Sequence, residues 1–188
     1  VSAAAEMMYV KGVAATTLGE VLIASATSKS QFRQHFVDKD DLVREVIAFR
    51  AADILGKQTR RLARVDSFRG LELWRDALLQ RNVLRRGAWG CELGSLAAEL
   101  SDTDDDARRQ LVEHFSQWQH LLEAAFERMR DGGVLRSDTD AASMAVSVMA
   151  AVQGGYLLAQ LNHDAGPMKS ALDMALDYVR SFAAAPPR

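Results

Sequence analysis

The sequence predicts an all-α fold of about nine helices, and three observations carry that expectation. Apolar residues make up 48 % of the 188 positions, enough to build the core of one domain, or of a small domain joined to a larger one. Glycine (12) and proline (3) are sparse, and two of the prolines fall in the terminal "AAAPPR", so the interior offers almost nothing that breaks a helix. Apolar side chains recur at helical spacing in most of the segments between the glycines.

Residues 3–10 have the character of a helix that Gly12 ends by supplying a left-handed cap. Thr16 or Thr17 starts the next, with Glu20 completing a capping box from Thr17 and with Leu18, Val21 and Leu22 as the buried side. After a turn at 25–27, Ser28 can cap a third helix whose Phe32 and Phe36 share a face. Asp38 caps a fourth, striped by Leu42, Val43, Val46, Ile47 and Phe49 and reading on toward Arg64. A fifth runs from Ser67 to about Arg85, and "RRGAWGCELGSLAAEL" bends into a short sixth ending near Leu100. Thr103 with Asp106 suggests the start of a long seventh, and Gly132 and Gly133 its end. Ser137 with Asp140 opens an eighth over residues 138–163, and Gly166 and Pro167 restart the chain as a ninth.

No apolar run approaches the roughly 18 residues of a membrane helix, so a soluble chain without a membrane partner is expected. A single cysteine, Cys91, excludes an internal disulfide framework and fits a reducing, cytoplasmic setting. It reads either as a small packing residue in "GCELG" or as a thiol activated by a helix start and nearby arginines. The chain opens mid-pattern at "VSAAAEMMYV", so further residues are expected before it. A net charge of −2 says nothing in favour of a nucleic-acid coat, and within residues 1–50 the basic and acidic side chains balance. No cofactor or metal is expected: there is no spaced His, Cys and carboxylate set and no glycine-rich phosphate loop, and the run Asp102, Asp104, Asp105 and Asp106 reads as a loop and helix start. An enzyme is therefore not expected.

The three short helices at the N-terminus bury too little to be stable singly and must share a core of Met8, Val13, Leu18, Val21, Phe32 and Phe36. Two helices joined by a tight turn, with the outer face of the second left free, suit insertion into a DNA major groove. That face carries Lys29, Gln31, Arg33, Gln34 and His35, while Ser28 and the adjacent amides can meet a phosphate. An ordinary polar solvent face has the same periodicity.

The order of residues goes further. "GVAATTLGEVLIASATSKSQFRQHFVDKDDL" resembles the DNA-binding segment of the TetR family of bacterial repressors, through Gly12, Thr16, Thr17, Val21, Ser28, Lys29, Phe32, His35, Phe36, Lys39 and Leu42. The resemblance implies that Thr17 caps the second helix and touches phosphate, that Lys29 and His35 lie on the recognition helix, and that Lys39 contacts the DNA backbone. Together with the free face this yields an expected DNA surface of Thr16, Thr17, Ser28, Lys29, Ser30, Gln31, Arg33, Gln34, His35 and Lys39. Two positions depart from the pattern: Ala26 stands where the turn usually has glycine, and Arg33 where a tyrosine is expected. A positive φ at Ala26 would strain the bend.

The rest is similar, more loosely, to the C-terminal half of the branch that includes the LmrA-like multidrug-resistance repressors, through "GCELGSLAAEL", the tryptophan of the long helix, "RDGGVLRSDTDAASMA" and "AVQGGYLLAQ". The expected organisation is a helix-turn-helix domain over residues 1–45 and a ligand-binding and dimerisation domain over 46–188. The resemblance implies a homodimeric repressor of a palindromic operator on double-stranded DNA, released by a small-molecule effector. Large side chains on several helices, Trp74, Trp89, Phe115, Trp118, Phe126, Met144 and Tyr156, suit an apolar cavity, with Gln153 and His114 as polar fixers; they suit a plain core equally. The homodimer is expected through the last two helices as a four-helix bundle, with Met149, Val152, Gly155, Leu172, Leu176 and Val179 at the interface. The alternative is a helical protein-interaction module without specific DNA binding.

Overall fold

The computed structural model describes residues 1–185; Pro186, Pro187 and the end of the expected 46–188 domain lie outside the described residues. Among these there are nine α-helices: α1 Ser2–Lys11, α2 Leu18–Ala24, α3 Lys29–Arg33, α4 Lys39–Leu62, α5 Phe68–Leu84, α6 Glu92–Leu100, α7 Asp105–Asp131, α8 Ala141–Asn162 and α9 Gly166–Arg180. The chain divides into two compact units, Val1–Ile54 with Glu92–His114, and Leu55–Cys91 with the chain from Phe115 onward. The first unit thus runs beyond the expected limit at residue 45 and takes in α6 and the start of α7. Long-range polar contacts account for this: the Gln110 amide on α7 donates to the Arg44 carbonyl (3.0 Å), and α6 holds the loop after α1.

In the first unit Ala4, Ala5 and Met8 of α1, Val13, Val21, Leu22 and Phe32 are buried with Leu42, Val43, Val46 and Ile47 of α4. Leu18 and Phe36, expected in the same core, are only half-buried. Arg50 of α4 is 8 % exposed and is held by Glu6 of α1 (2.7 Å) and Glu92 of α6 (3.4 Å), with its guanidinium over the Tyr9 ring. A buried arginine needs such partners, because an unpaired charge in the core costs several kcal/mol, on the order of 3–5 when one partner is removed.

Two helix starts differ from expectation. Asp104, not Thr103, caps α7 by accepting from the Ala107 amide (2.9 Å), since the Thr103 hydroxyl is turned back onto the last carbonyls of α6. Asp140, not Ser137, caps α8 by accepting from the Ser143 amide (3.1 Å), so α8 begins three residues later than the expected position 138.

In the second unit Trp74 and Leu78 of α5 are buried, as are Trp118, Leu122, Phe126 and Met129 of α7 and Met144, Val148 and Val152 of α8. Arg128 closes the end of α4 by donating to the Leu62 (2.6 Å) and Val65 (3.3 Å) carbonyls, groups that a helix C-terminus leaves unsatisfied. The segment after α7 meets the one after α9 in an antiparallel bridge, Leu135 with Ala183. Contrary to expectation, α8 is long and apolar enough to cross a membrane by length and composition, with a mean hydropathy of 1.4. Its buried Met144, Val148, Val152 and Tyr156 face the core of this unit, as in a core helix.

Candidate nucleic-acid interface

The α2–α3 corner is built by short-range chemistry. Thr17 and Glu20 cap α2 reciprocally: the Glu20 amide donates to the Thr17 hydroxyl (3.3 Å) and the Thr17 amide to the Glu20 carboxylate (2.8 Å). Lys11 donates to the same carboxylate (2.6 Å). The Lys11 ammonium and then the Thr17 hydroxyl hold the Glu20 carboxyl down to about 2, so it remains an anion wherever the protein is folded at ordinary pH. At the other end of α2 the Thr27 amide reaches the Leu22 carbonyl (2.9 Å) and the Ala26 amide the Ile23 carbonyl (3.1 Å), the paired bonds of a Schellman stop.

That stop puts Ala26 at φ 51°, the left-handed conformation that glycine adopts without cost. The departure from the family pattern therefore does strain the turn, by about 1 kcal/mol. Ala26→Gly is expected to raise the melting temperature by about 2–4 °C with the helix content unchanged. A lower melting temperature on calorimetry would show that the bend carries no strain.

Ser28 begins α3 with a second reciprocal box: the Gln31 amide donates to the Ser28 hydroxyl (3.1 Å) and the Ser28 amide to the Gln31 side-chain oxygen (2.9 Å). The sequence carries this signal locally as S-x-x-Q. Phe32 is buried and its ring lies 5.1 Å from that of half-buried Phe36, which anchors the inner side. The outer side leaves Ser28, Lys29, Ser30, Gln31, Arg33, Gln34 and His35 exposed. Among the described residues neither Lys29 nor Arg33 forms an ion pair, so both charges are free to meet an anion. Thr17 is exposed as well.

Two of the expected DNA residues are placed differently. Thr16 is 0 % exposed and its hydroxyl donates to the Gly12 carbonyl (2.7 Å), so it braces the loop and cannot reach a phosphate. Lys39 is half-buried and its ammonium donates to the Val13 carbonyl (2.7 Å), leaving two hydrogens for any other acceptor. Glu99, outside the expected set, accepts from the backbone amides of Val13 (2.7 Å) and Ala14 (2.6 Å). Its partners lie 86 and 85 residues away, and no local pattern marks such a contact.

The expected effector residues scatter in their surroundings. Trp118, Phe126, Met144 and Tyr156 are buried, Phe115 and Gln153 half-buried, and Trp89 is 44 % exposed in the turn before α6, apart from the buried set. Trp74 is buried with its indole N–H already donating to Gln58 (2.8 Å), whereas the Trp118 indole N–H has no acceptor among the described residues.

The expected dimer residues require correction. Met149, Val152, Gly155, Leu172, Leu176 and Val179 are all buried within a single chain, where they pack α8 on α9. A Cβ at Gly155 would come within 2.8 Å of the Met168 sulfur and 3.0 Å of Ala171, so the glycine is used for the approach of α9 within the chain. The outer face of the same pair instead exposes Val146, Leu157, Leu158 and Leu161 of α8 with Met174 and Tyr178 of α9.

Comparison with known proteins agrees with this geometry. Residues 1–46 match the family described as bacterial regulatory proteins, tetR family, and residues 62–175 match the tetracyclin repressor-like C-terminal domain. An uncharacterized HTH-type transcriptional regulator in the lacX 3' region of Lactococcus lactis subsp. lactis is 27 % identical over 92 % of this chain and 87 % of its own length. The HTH-type transcriptional repressor DhaR of Mycobacterium sp. (strain GP1) is 22 % identical over 89 % of this chain and 83 % of its own. Among solved structures, the regulatory protein TetR from Rhodobacter sphaeroides superposes with a TM-score of 0.84 at 21 % identity, over 94 % of this chain and 95 % of that one. A cysteine mutant of the TetR family regulator CifR, crystallised with a 26 bp operator duplex, superposes with a TM-score of 0.80 at 20 % identity, over 94 % and 93 %. With two family matches that together span most of its length, and a helix-turn-helix whose outer face is basic and unpaired, this chain belongs to the TetR family of DNA-binding transcriptional repressors.

Proposed function

We propose that the protein is a ligand-responsive repressor that binds a palindromic operator as a homodimer and leaves it when a small, apolar or amphipathic effector is bound. The observation that carries the DNA half of this reading is the α2–α3 corner, capped at both helix starts and offering unpaired Lys29 and Arg33 on an exposed face. A symmetric dimer would set two such helices about one DNA turn apart, which lets local placement outweigh a net charge of −2. The apolar outer face of α8 and α9 supports that dimer. For the effector, the support is the buried aromatic set of the second unit and the Trp118 indole N–H without an acceptor, since an unmet buried donor costs about 1–3 kcal/mol that a ligand carbonyl or ether would recover.

Release is a population shift: the effector prefers a packing in which α4 tilts and the spacing of the two recognition helices no longer fits successive grooves. The "GC-x-x-G" helix and "QGG" motif are what favour an LmrA-like effector domain. Operator binding, as proposed, supports a cytoplasmic setting.

A salt titration of the full chain on the intergenic DNA upstream of its own gene, against a scrambled duplex, tests the reading. Binding that prefers the native sequence is expected, with a steep decline in salt. Arg33→Ala is expected to weaken it and to reduce the salt slope by about 1, as loss of one phosphate contact does. Unchanged affinity and slope would remove Arg33 from the DNA face. Salt-sensitive binding without preference would leave a generic DNA binder, and no binding at low salt would favour a protein-interaction module.

A further inference from the structure

We infer that Glu99 is a positioning residue for operator binding: from α6, its carboxylate clamps the loop between α1 and α2 and so sets how the helix-turn-helix is presented. This inference rests on the operator-binding function. Both carboxylate oxygens are engaged, one by the Val13 amide (2.7 Å) and the other by the Ala14 amide (2.6 Å). Two consecutive backbone N–H groups aimed at one anion form a small fixed anion site, and charge-assisted bonds of this kind are about twice as strong as neutral ones.

The same peptide is held from its other side. The Val13 carbonyl accepts from the Lys39 ammonium at the start of α4 (2.7 Å), and the Thr16 hydroxyl ties the Gly12 carbonyl across the turn (2.7 Å). The loop that leads into the Thr17 cap of α2 is therefore bracketed by an anion from α6 and a cation from α4. All of these groups lie within the first compact unit, together with α3. At its N-terminal end α6 is tied to the same unit by Glu92, which pairs with Arg50, and Arg50 with Glu6 of α1. Glu99 is itself half-buried, touches no element of the expected DNA face directly and bears the wrong sign for a phosphate contact.

The sign of its charge makes the inference testable. If Glu99 acted on DNA only through its field, its neutralisation would tighten binding, because a negative charge near the phosphates would be gone. As a clamp it must act the other way. Glu99→Gln keeps the shape but supplies one acceptor where two are needed and turns an NH2 toward a backbone N–H.

The experiment compares the full chain, Glu99→Gln and the control Asp102→Asn on the upstream intergenic duplex, across salt concentrations and well below each variant's melting temperature. Asp102 is exposed in the same unit, and its neutralisation makes the same charge change without touching the loop. Expected is about tenfold weaker binding for Glu99→Gln, with the salt slope of the parent chain, and equal or tighter binding for Asp102→Asn. Amide exchange at Val13 and Ala14 is expected to quicken in Glu99→Gln without DNA present. Equal or tighter binding by Glu99→Gln would overturn the inference, as would a lowered melting temperature with affinity unchanged. Failure of the parent chain itself to bind would overturn the operator reading and this role with it, and is distinguishable because the parent is measured in the same run.

Discussion

Replacing Leu158 and Met174 together by aspartate is expected to halve the particle mass in sedimentation and to lower operator affinity by a factor on the order of 10² to 10⁴, the range by which a second linked contact strengthens a first. Both side chains are exposed in the single chain, 50 % and 61 %, so the substitution asks nothing of the monomer's own core. Large apolar groups gathered on one outer face, with Leu157, Leu161 and Tyr178 beside them, are the kind of patch that a partner covers. Across a two-fold axis each substitution would bury two aspartates, one from each protomer, against apolar surface, which costs several kcal/mol per unpaired charge. The far-ultraviolet spectrum and melting behaviour of the monomer should stay close to those of a folded helical protein. A variant that remains dimeric, with operator affinity unchanged, would move the dimer interface away from α8 and α9.

Gly87→Ala is expected to lower stability by about 3 kcal/mol, seen as a fall of about 6–12 °C in melting temperature for a chain of this size. Gly87 has φ 72°, in the left-handed region. A Cβ there would come within 2.5 Å of the Ala159 carbonyl oxygen, 2.8 Å of the Asp164 amide nitrogen and 2.9 Å of the Asp164 carbonyl oxygen. All three are backbone atoms at the end of α8, so no rotamer change can relieve the contact. The turn and α8 would have to separate, opening the packing near the last turn of α8. A melting temperature within 2 °C of the parent's, a margin of about 1 kcal/mol or less, would show that the approach of the two backbones is not required.

Much of this architecture was legible in the sequence because its signals are local. The capping box of Thr17 and Glu20 spans three residues, as does the Asp38 cap, whose carboxylate accepts from the Asp41 amide (2.8 Å). The spacing of Phe32 and Phe36 sets the inward side of the recognition helix, whereas the exposure of Lys29, which stands at i−3 from Phe32, is decided by the folded chain. Local signals also misled. Thr103 and Ser137 satisfy the same capping pattern as the residues that cap, yet the Thr103 hydroxyl turns onto the last carbonyls of α6, and Asp104 and Asp140 take the caps. Thr16 and Thr17 are adjacent and chemically alike, yet one is buried as a brace and the other exposed.

The sequence by itself determined the helices, the caps of α2, α3 and α4, the helix-turn-helix and the family resemblance, because each depends on residues within a few positions of one another. Tertiary structure alone decided which apolar side of α8 and α9 is spent inside the chain and which is left over. Periodicity counts apolar residues but does not say what covers them, and a helix apolar on more than one side has two candidate inner faces. It likewise decided the roles of Glu99 and Arg50. Their partners are distant along the chain, and a carboxylate that receives two backbone amides looks, as a letter in a sequence, like any glutamate on a solvent face.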